Sequence, residues 1–368
     1  MKLAIMGAGR WQLPICLKAK EMGIETYAFA YEKGAVAQDE VDHFYPISLV
    51  EKEEIARRCE EIGIDGVTTC ASDFAIEISC WVAEQLGLNT TSYETVVNIH
   101  DKAWVRERTK NLTSISQPAV CTGSLDSIQL PAFPCIVKPV HGYGKRGVWF
   151  INNRTDFEHI KNSVEYNVGE NALAEQFISG KEYSVESLSF HGNHYVVQIT
   201  EKYSGGAPHF VELGHHQPAN VSKAQREMMT NAVVDILDAV NFTDGASHIE
   251  LKIAEGNGGI YLIDLNPRGG GDYISTHLIS LSTNCDYCKE IINISLDSFD
   301  PSGYPYKNIA YSGVYFLTKQ TAHLLPYFKQ DNPCVVEKEY TDGELTESNN
   351  NNDRNGYLIY QSSNKIIL

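Results

Sequence analysis

The stretch "SHIELKIAEGNGGIYLIDLNPRGGGD", residues 247–272, predicts two β-strands joined by a short glycine-rich loop. If the loop spans residues 255–259, residue 254 pairs with residue 260. The same register places Glu250 directly opposite Asp264. Two facing carboxylates repel each other, and a divalent cation between them removes the repulsion. The pattern therefore predicts a cation site, with a solvated sheet face carrying scattered acids as the alternative.

The segment around the second strand favours the cation site. Leu262, Asp264 and Asn266 are expected to share one face, and Asn266 can add a neutral oxygen. Carboxylate and amide oxygens suit magnesium or manganese rather than zinc. Pro267 ends the strand, and Arg268 follows it at a bend rich in glycine. An arginine in that place can bind the anions that a metal ion also binds.

A second glycine-rich stretch is "VKPVHGYGKRGV", residues 137–148. Lys138 lies near the end of its apolar strand, where an ammonium group is costly without an anionic partner. Glycines and cations then alternate, which lets backbone N–H groups and side chains surround a phosphate. These residues are Gly142, Gly144, Lys145, Arg146 and Gly147. The Gly-Lys-Ser/Thr ending of a Walker loop is absent, and a glycine-rich hairpin without a ligand is the alternative. Together with the paired acids, the stretch is interpreted as a lid over a metal-bound polyphosphate.

The first hundred residues alternate strands and helices, which is typical of a parallel sheet. The chain opens with "MKLAIMGAGRWQLP", a strand that enters a glycine-rich turn as in dinucleotide-binding proteins. Gln12 stands where the third glycine of that fingerprint belongs, and Glu32 is an ambiguous match to the ribose-binding acid. A nicotinamide site is therefore disfavoured. Ser92 and Asp101 are predicted to cap two helices that follow.

Composition limits the classes of partner. The 368 residues carry a formal net charge of −17, and this surplus of acid argues against nucleic acid and against anionic membrane surfaces. No apolar run reaches the roughly 18 residues of a membrane span, and the opening apolar run is too short for a signal peptide. The nine cysteines have no framework spacing, and the pair Cys285 and Cys288 is interpreted as ordinary thiols. We expect a cytoplasmic protein.

Five motifs in order resemble the ATP-grasp superfamily, most of all its carboxylate–amine ligase branch, with the bacterial L-amino acid ligases and relatives of biotin carboxylase and carbamoyl-phosphate synthetase. They are "DKAWVRE", "CIVKPVHGYGKRGV", "AEQFISGKEYSVE", "HIELKI" and "LIDLNPRGGGD", within roughly residues 100–300. The resemblance implies a mixed α/β and α+β fold. A Rossmann-like domain (1–98) would precede an ATP-grasp domain (99–300, with a mobile lid at roughly 115–175), and a β-rich segment (301–368) would complete the ATP-grasp region. In this superfamily the first glycine-rich turn faces the substrate cleft.

The resemblance also implies roles for individual residues. The ATP phosphates would be bound by Lys102, Lys138, Gly144, Lys145 and Gly147, and the adenine by Glu175, Gln176, Phe177 and Ile178. Glu182 would bind the ribose, and magnesium would be bound by Glu250, Asp264 and Asn266. Lys138 and Arg268 would be catalytic, with Arg268 over the γ-phosphate and the reacting carboxylate. The segment "FVELGHHQPA" resembles one that approaches the substrate, which points to His215 or His216. Adjacent histidines on a loop are more often surface residues, and that alternative stays open.

Two departures from the family pattern bear on the site. The second metal-binding acid is usually Glu and is Asp264 here, one methylene shorter, which weakens the case for bridging two metal ions. The phosphate loop usually carries small residues and an acid, whereas His141, Tyr143 and Lys145 stand in this chain. The added bulk is expected to alter closure of the loop.

The implied reaction is the ATP-dependent joining of a small carboxylate, an amino acid or a related acid, to an amine through an acyl phosphate. ADP and phosphate are released. The implied ligands are ATP, magnesium or manganese, and the small carboxylate and amine substrates. A nucleotide-binding homologue without turnover is the first alternative, and an NAD-dependent oxidoreductase is a weaker one. The sequence identifies neither substrate and leaves a homodimer open.

Overall fold

A computed structural model describes the chain over residues 1–142, 147–161, 171–345, 347–348 and 350–367, with residue 352 described by its backbone. The first part contains β1 (Lys2–Met6), α1 (Leu13–Glu21), β2 (Glu25–Phe29), β3 (His43–Tyr45), α2 (Lys52–Ile62), β4 (Gly66–Thr68) and α3 (Asp73–Gln85). The strands form a parallel sheet in the order β3-β2-β1-β4. The predicted alternation of strand and helix is therefore confirmed, although the three-residue edge strand β3 was not predicted.

Two helices connect this sheet to the rest of the chain, α4 (Tyr93–Ile99) and α5 (Lys102–Thr109). Their predicted caps are confirmed. Ser92 Oγ accepts a hydrogen bond from the backbone N–H of Thr95 at 3.1 Å, and Asp101 Oδ1 accepts one from Trp104 at 2.9 Å. The cap on α5 fixes the start of the helix that carries Lys102.

The second sheet is antiparallel and has its own small core. It contains β5 (Val120–Ser124), β6 (Cys135–Pro139), β7 (Trp149–Ile151) and β8 (Asn171–Gln176), with α6 (Arg154–Lys161) packed against it. The strand order is β5-β8-β6-β7. Val137, Phe157 and Ala174 are buried in a cluster separate from the other cores. The sheet occupies the region predicted as a lid, whose bounds and movement stay predictions, as do the other domain boundaries.

The third sheet has eight strands in the order β13-β12-β9-β10-β11-β14-β16-β15. The elements of this part are β9 (Gly180–Phe190), β10 (Asn193–Ser204), β11 (Glu212–Gln217), α7 (Lys223–Ala239), β12 (Gly245–Ala254), β13 (Ile260–Asn266), α8 (Ile279–Ser282), α9 (Tyr287–Ser295), β14 (Tyr311–Leu317), α10 (Leu325–Lys329), β15 (Val335–Tyr340) and β16 (Gly356–Ser362). The β-rich tail thus extends this sheet. Helix α7 buries Met229, Val233 and Ile236 in one core, and α9 shares another core with α1 of the first part.

The hairpin of β12 and β13 departs from the predicted register near its loop. Ile253, rather than residue 254, pairs with Ile260, so the expected pairing of the residues that flank the loop is wrong by one. Ile263 is an extra residue between the pairs that follow, which makes a β-bulge.

The bulge restores the predicted opposition of the two acids, because Glu250 pairs with Asp264 beyond it. It also changes the face of Leu262. That side chain was expected beside Asp264, but it is buried with Leu265 in the core that α7 covers. A bulge inverts the in–out alternation on one side of it, which is why a strict period of two misplaced Leu262.

Two smaller features complete the fold. Among the described residues, no helix combines the length and apolar character that crossing a membrane requires. All nine cysteines are free thiols, and Cys285 and Cys288 are buried. The interpretation of that pair as ordinary thiols agrees with the structure.

Candidate active site

A cavity of about 140 Å³, here called the first cavity, lies between the second and third sheets. Its lining contains most of the residues predicted to bind ATP and metal: Lys102, Lys138, Glu175, Gln176, Phe177, Ile178, Glu182, Glu250, Asp264 and Asn266. Gly144 and Lys145 lie outside the described residues. Gly147 is described, in a turn with φ of 68° that favours glycine. The fold therefore gathers in one place residues that the sequence spreads over more than a hundred positions.

Lys138 lies deep in the first cavity and is paired with an acid. Its Nζ is 2.5 Å from Glu175 Oε1, and Arg106 donates to the other oxygen of Glu175 at 3.0 Å. Burial raises the pKa of the Glu175 carboxyl, but the charges of Arg106 and Lys138 outweigh burial and lower that pKa to about 2. The two cations are thus held in fixed positions by one ionised carboxylate. Arg106 was not predicted.

The two facing acids each have a lysine partner. Lys202 Nζ lies 2.5 Å from Glu250 Oε1, and Lys102 Nζ lies 3.7 Å from Asp264 Oδ1. Lys102 also donates to the carbonyl oxygen of Gly142 at 3.0 Å. The expectation that repulsion between the acids persists until a metal ion binds is therefore corrected, because each carboxylate is already partly neutralised.

The donor set fits magnesium or manganese. Glu250 and Asp264 supply carboxylate oxygens with side chains 16% and 31% exposed, so they can reach a ligand in the cavity. Asn266 Oδ1 lies 3.4 Å from Arg268 Nη2, at the same end of β13. Hard oxygen donors with no sulfur among them are typical of these two cations.

Lys202 is the centre of a buried acidic cluster. Besides Glu250, its Nζ contacts Glu182 Oε1 at 3.0 Å and Glu212 Oε1 at 3.3 Å. Burial lowers the pKa of the Lys202 ammonium, but the three glutamates outweigh burial and raise that pKa well above its usual range. The sequence motifs predicted roles for Glu182 and Glu250 but not for Lys202 or Glu212.

Arg268 is held by an acid from the first part of the chain. Its Nε and Nη2 donate to the two oxygens of Asp73 at 2.9 and 3.1 Å. Asp73 begins α3, and its carboxylate also lies 3.9 Å from His100 Nε2. The bidentate pair fixes the plane of the guanidinium group. Asp73 was not predicted.

Arg268 lines a second, larger cavity of about 500 Å³. This second cavity shares Glu250, Asp264 and Asn266 with the first cavity. The two cavities therefore meet at the predicted metal ligands, with Lys138 on one side and Arg268 on the other.

The glycine-rich turn that opens the chain contributes to the second cavity. Arg10 and Trp11, which directly follow the glycines of the turn, line it. The side chain of Gln12 lies over the turn, 3.2 Å from the point where a Cβ atom would lie if Gly7 were another residue. Its amide nitrogen donates a hydrogen bond to the carbonyl oxygen of Cys70 at 2.8 Å. Gln12 thus fills space that the third glycine of a dinucleotide fingerprint leaves open.

The structure separates the two adjacent histidines. They lie on β11 rather than on a loop, so their side chains point to opposite faces. His215 lines the second cavity, with Nε2 3.5 Å from Asp272 Oδ2. His216 packs on the other side, 2.8 Å from the hydroxyl group of Tyr360, and burial lowers the pKa of its imidazole to about 3. His216 is therefore part of the core.

The polar run near the end of the chain also reaches the second cavity. Arg354 Nη2 lies 2.8 Å from Asp272 Oδ2, and its guanidinium carbon lies 3.7 Å from the ring centre of Phe316. Asn351 Oδ1 accepts a hydrogen bond from the backbone N–H of Glu212 at 3.1 Å. Asn351 and Arg354 therefore each have a partner in the wall of the second cavity.

Comparisons with known proteins match part of the chain to a protein family. Residues 131–277 match the family model described as an ATP-grasp domain. The carbamoyl phosphate synthase large chain of Thermoanaerobacter sp. (strain X514) is 22% identical over 298 residues, which are 78% of this chain and 26% of that protein. The chain thus spans about a quarter of the length of that relative.

Solved structures share the fold over nearly the whole chain. The L-amino acid ligase from Bacillus licheniformis has a TM-score of 0.81 and 21% identity, covering 99% of this chain and 93% of that chain. Phosphoribosylglycinamide synthetase from Anaerococcus prevotii has a TM-score of 0.74 and 18% identity, covering 99% and 94%. Residues 131–277 match an ATP-grasp domain and the solved structures share the fold, so the resemblance to the ATP-grasp superfamily that the motifs predicted is confirmed.

Proposed function

We propose that this protein is an ATP-dependent ligase that activates a small carboxylate as an acyl phosphate and joins it to an amine. The observation that carries the proposal is the junction of the two cavities. One cavity has the residues expected around a nucleotide, the other has arginine and histidine side chains suited to a small acid, and both open on Glu250, Asp264 and Asn266. A phosphoryl group can pass between two ligands only where their sites meet.

In this proposal ATP lies in the first cavity. Phe177 and Ile178 contact the adenine, Glu182 binds the ribose, and Lys102 and Lys138 bind the phosphates. Lys138 is held by Glu175, so it loses little conformational freedom when phosphate binds. Magnesium, bound by Glu250, Asp264 and Asn266, would neutralise charge on the phosphates.

The carboxylate substrate lies in the second cavity beside Arg268 and His215. One of its oxygens attacks the γ-phosphorus, the bond to the leaving ADP oxygen breaks, and an acyl phosphate forms. The nitrogen of an amine then attacks the acyl carbon, the bond to the phosphate oxygen breaks, and the departing phosphate takes up the proton that the nitrogen loses, so that an amide is formed. Arg268 stabilises the oxyanion and the departing phosphate, since Asp73 keeps its guanidinium group directed at the cavity.

A phosphate-release screen tests the proposal. The protein is incubated with ATP, magnesium and pairs of amino acids or related small acids, and products are identified by mass spectrometry. The expected result is phosphate release that depends on both partners, with a product heavier than either substrate. Tight ATP binding with no release for any pair would favour a nucleotide-binding homologue, and tight NAD binding without ATP binding would contradict the assignment of the first cavity.

A further inference from the structure

Four charged side chains meet on the third sheet. Lys202 lies on β10. Its glutamate partners Glu182 and Glu212 come from the adjacent strands β9 and β11, and Glu250 comes from β12, on the far side of β9. The Lys202 side chain is 3% exposed, and the distances from its Nζ to the three carboxylates run from 2.5 to 3.3 Å. An ammonium group with three carboxylate neighbours and almost no solvent is fixed in place.

The three glutamates are arranged as ligands of one cation. Each offers an oxygen, and these oxygens all lie within 4.8 Å of one another. The group carries three negative charges and one positive charge, a net charge of −2. Without the ammonium group, three half-buried or buried carboxylates would repel each other and would attract a cation or a proton.

We propose that Lys202 is a fixed internal cation, which occupies the place of a metal ion among Glu182, Glu212 and Glu250 and holds Glu250 in position as a metal ligand. The inference rests on the proposed function for the role of Glu250 toward nucleotide-bound magnesium. Lys202 is a positioning residue, because it acts through the glutamates.

The contacts explain how one lysine affects both ends of the nucleotide site. Lys202 and His248 Nε2 both contact Oε1 of Glu250, at 2.5 and 3.3 Å, so the carboxylate is held through that oxygen. Lys202 also contacts Glu182, which is the proposed ribose ligand in the first cavity. Its third contact, Glu212, lines the second cavity. The ammonium group therefore ties together the ribose end, the metal end and the substrate side.

The first test removes the ammonium group by the substitution Lys202→Met. Electron paramagnetic resonance counts Mn²⁺ bound to the nucleotide-free protein, and calorimetry follows the melting temperature with and without Mn²⁺. We expect Lys202→Met to bind Mn²⁺ about tenfold more tightly than the wild type and to be stabilised by it. The matched control is Lys365→Met, which removes an ammonium group 2.7 Å from Glu201, the neighbour of Lys202 on the same strand. The control is expected to keep wild-type Mn²⁺ affinity.

A second variant separates charge from contact. Lys202→Met with Glu212→Gln leaves two negative charges, so the group keeps the net charge of the wild type. If Lys202 positions Glu250, this double variant still needs about tenfold more magnesium for half-maximal binding of a non-hydrolysable ATP analogue. The double variant also decides the question if the single variant fails to fold with and without Mn²⁺. Folding of the single variant only with Mn²⁺ supports the proposal.

A wild-type magnesium requirement in the double variant overturns the proposal, as does wild-type Mn²⁺ affinity in Lys202→Met. These outcomes are distinct from failure of the proposed function. If the wild type binds no ATP analogue, the Mn²⁺ experiment on the nucleotide-free protein still tests whether Lys202 takes the place of a cation.

Discussion

Substitution of Asp73 by Asn is expected to lower both stability and turnover, since it removes the charge that faces Arg268. The two side chains are only 13% and 14% exposed, and breaking such a pair on one side costs about 3 kcal/mol. For 368 residues that unfold together, the entropy of unfolding is about 0.8 kcal mol⁻¹ K⁻¹, so the melting temperature should fall by about 4 °C. A displaced guanidinium group should also lower kcat by about 100-fold.

Calorimetry and the phosphate-release assay measure the two effects, and the affinity for an ATP analogue should stay unchanged. Asp286→Asn is the matched control. Asp286 pairs with Lys18 at 2.8 Å between the same two parts of the chain, but it is 39% exposed, and Asn can keep its role as the cap of α9. That control should lose less than about 1 kcal/mol and no activity. Equal effects of the two substitutions would refute the reasoning.

Three further predictions concern the first cavity. The pKa of Glu175 is lowered in the folded state, so its contribution to stability is present at pH values above the usual carboxyl pKa and is lost as the pH falls toward about 2. An acid titration of the stability of Glu175→Gln should lack this loss. At neutral pH the variant should be less stable than the wild type, because Arg106 and Lys138 lose their counter-charge. Lys138→Met should abolish turnover and weaken ATP binding about tenfold, as measured by calorimetry, and unchanged ATP affinity would contradict the phosphate assignment. Asp264→Asn should leave the melting temperature of the metal-free protein nearly unchanged, because the loss of the contact with Lys102 offsets the relief of repulsion between Asp264 and Glu250. If magnesium and an ATP analogue still raise the melting temperature of this variant as in the wild type, the metal assignment is contradicted.

The parts of the site that the sequence predicted are those carried by short-range patterns. Strand alternation and the glycine-rich loop sufficed to set Glu250 against Asp264, and the strand-ending proline placed Arg268 at the edge of the site. Leu262 was misplaced because one extra residue in β13 changes the alternation, and a bulge has no separate signal in a run of apolar residues.

The site residues that were not predicted are charged side chains whose roles depend on partners far away in the sequence. Asp73 and Arg268 are 195 positions apart, and Asp73 alone looks like an ordinary first residue of a helix. Lys202 stands next to Glu201 in a strand and could equally have pointed toward solvent. Its partners become neighbours only when strands β9 to β12 are ordered in the sheet, which no local pattern specifies.

The two cavities draw on different stretches of the chain. Among the described residues, those that line the first cavity fall between positions 102 and 266, whereas the second cavity also uses residues 10, 11 and 71 and several between 316 and 357. Under the proposed function, variation near both ends of the chain can therefore change which acid or amine is accepted, while the residues proposed to bind ATP stay the same. An engineer who wants a new product from this scaffold would diversify Arg10, Trp11 and the neighbourhood of Arg354, and would leave the central stretch untouched.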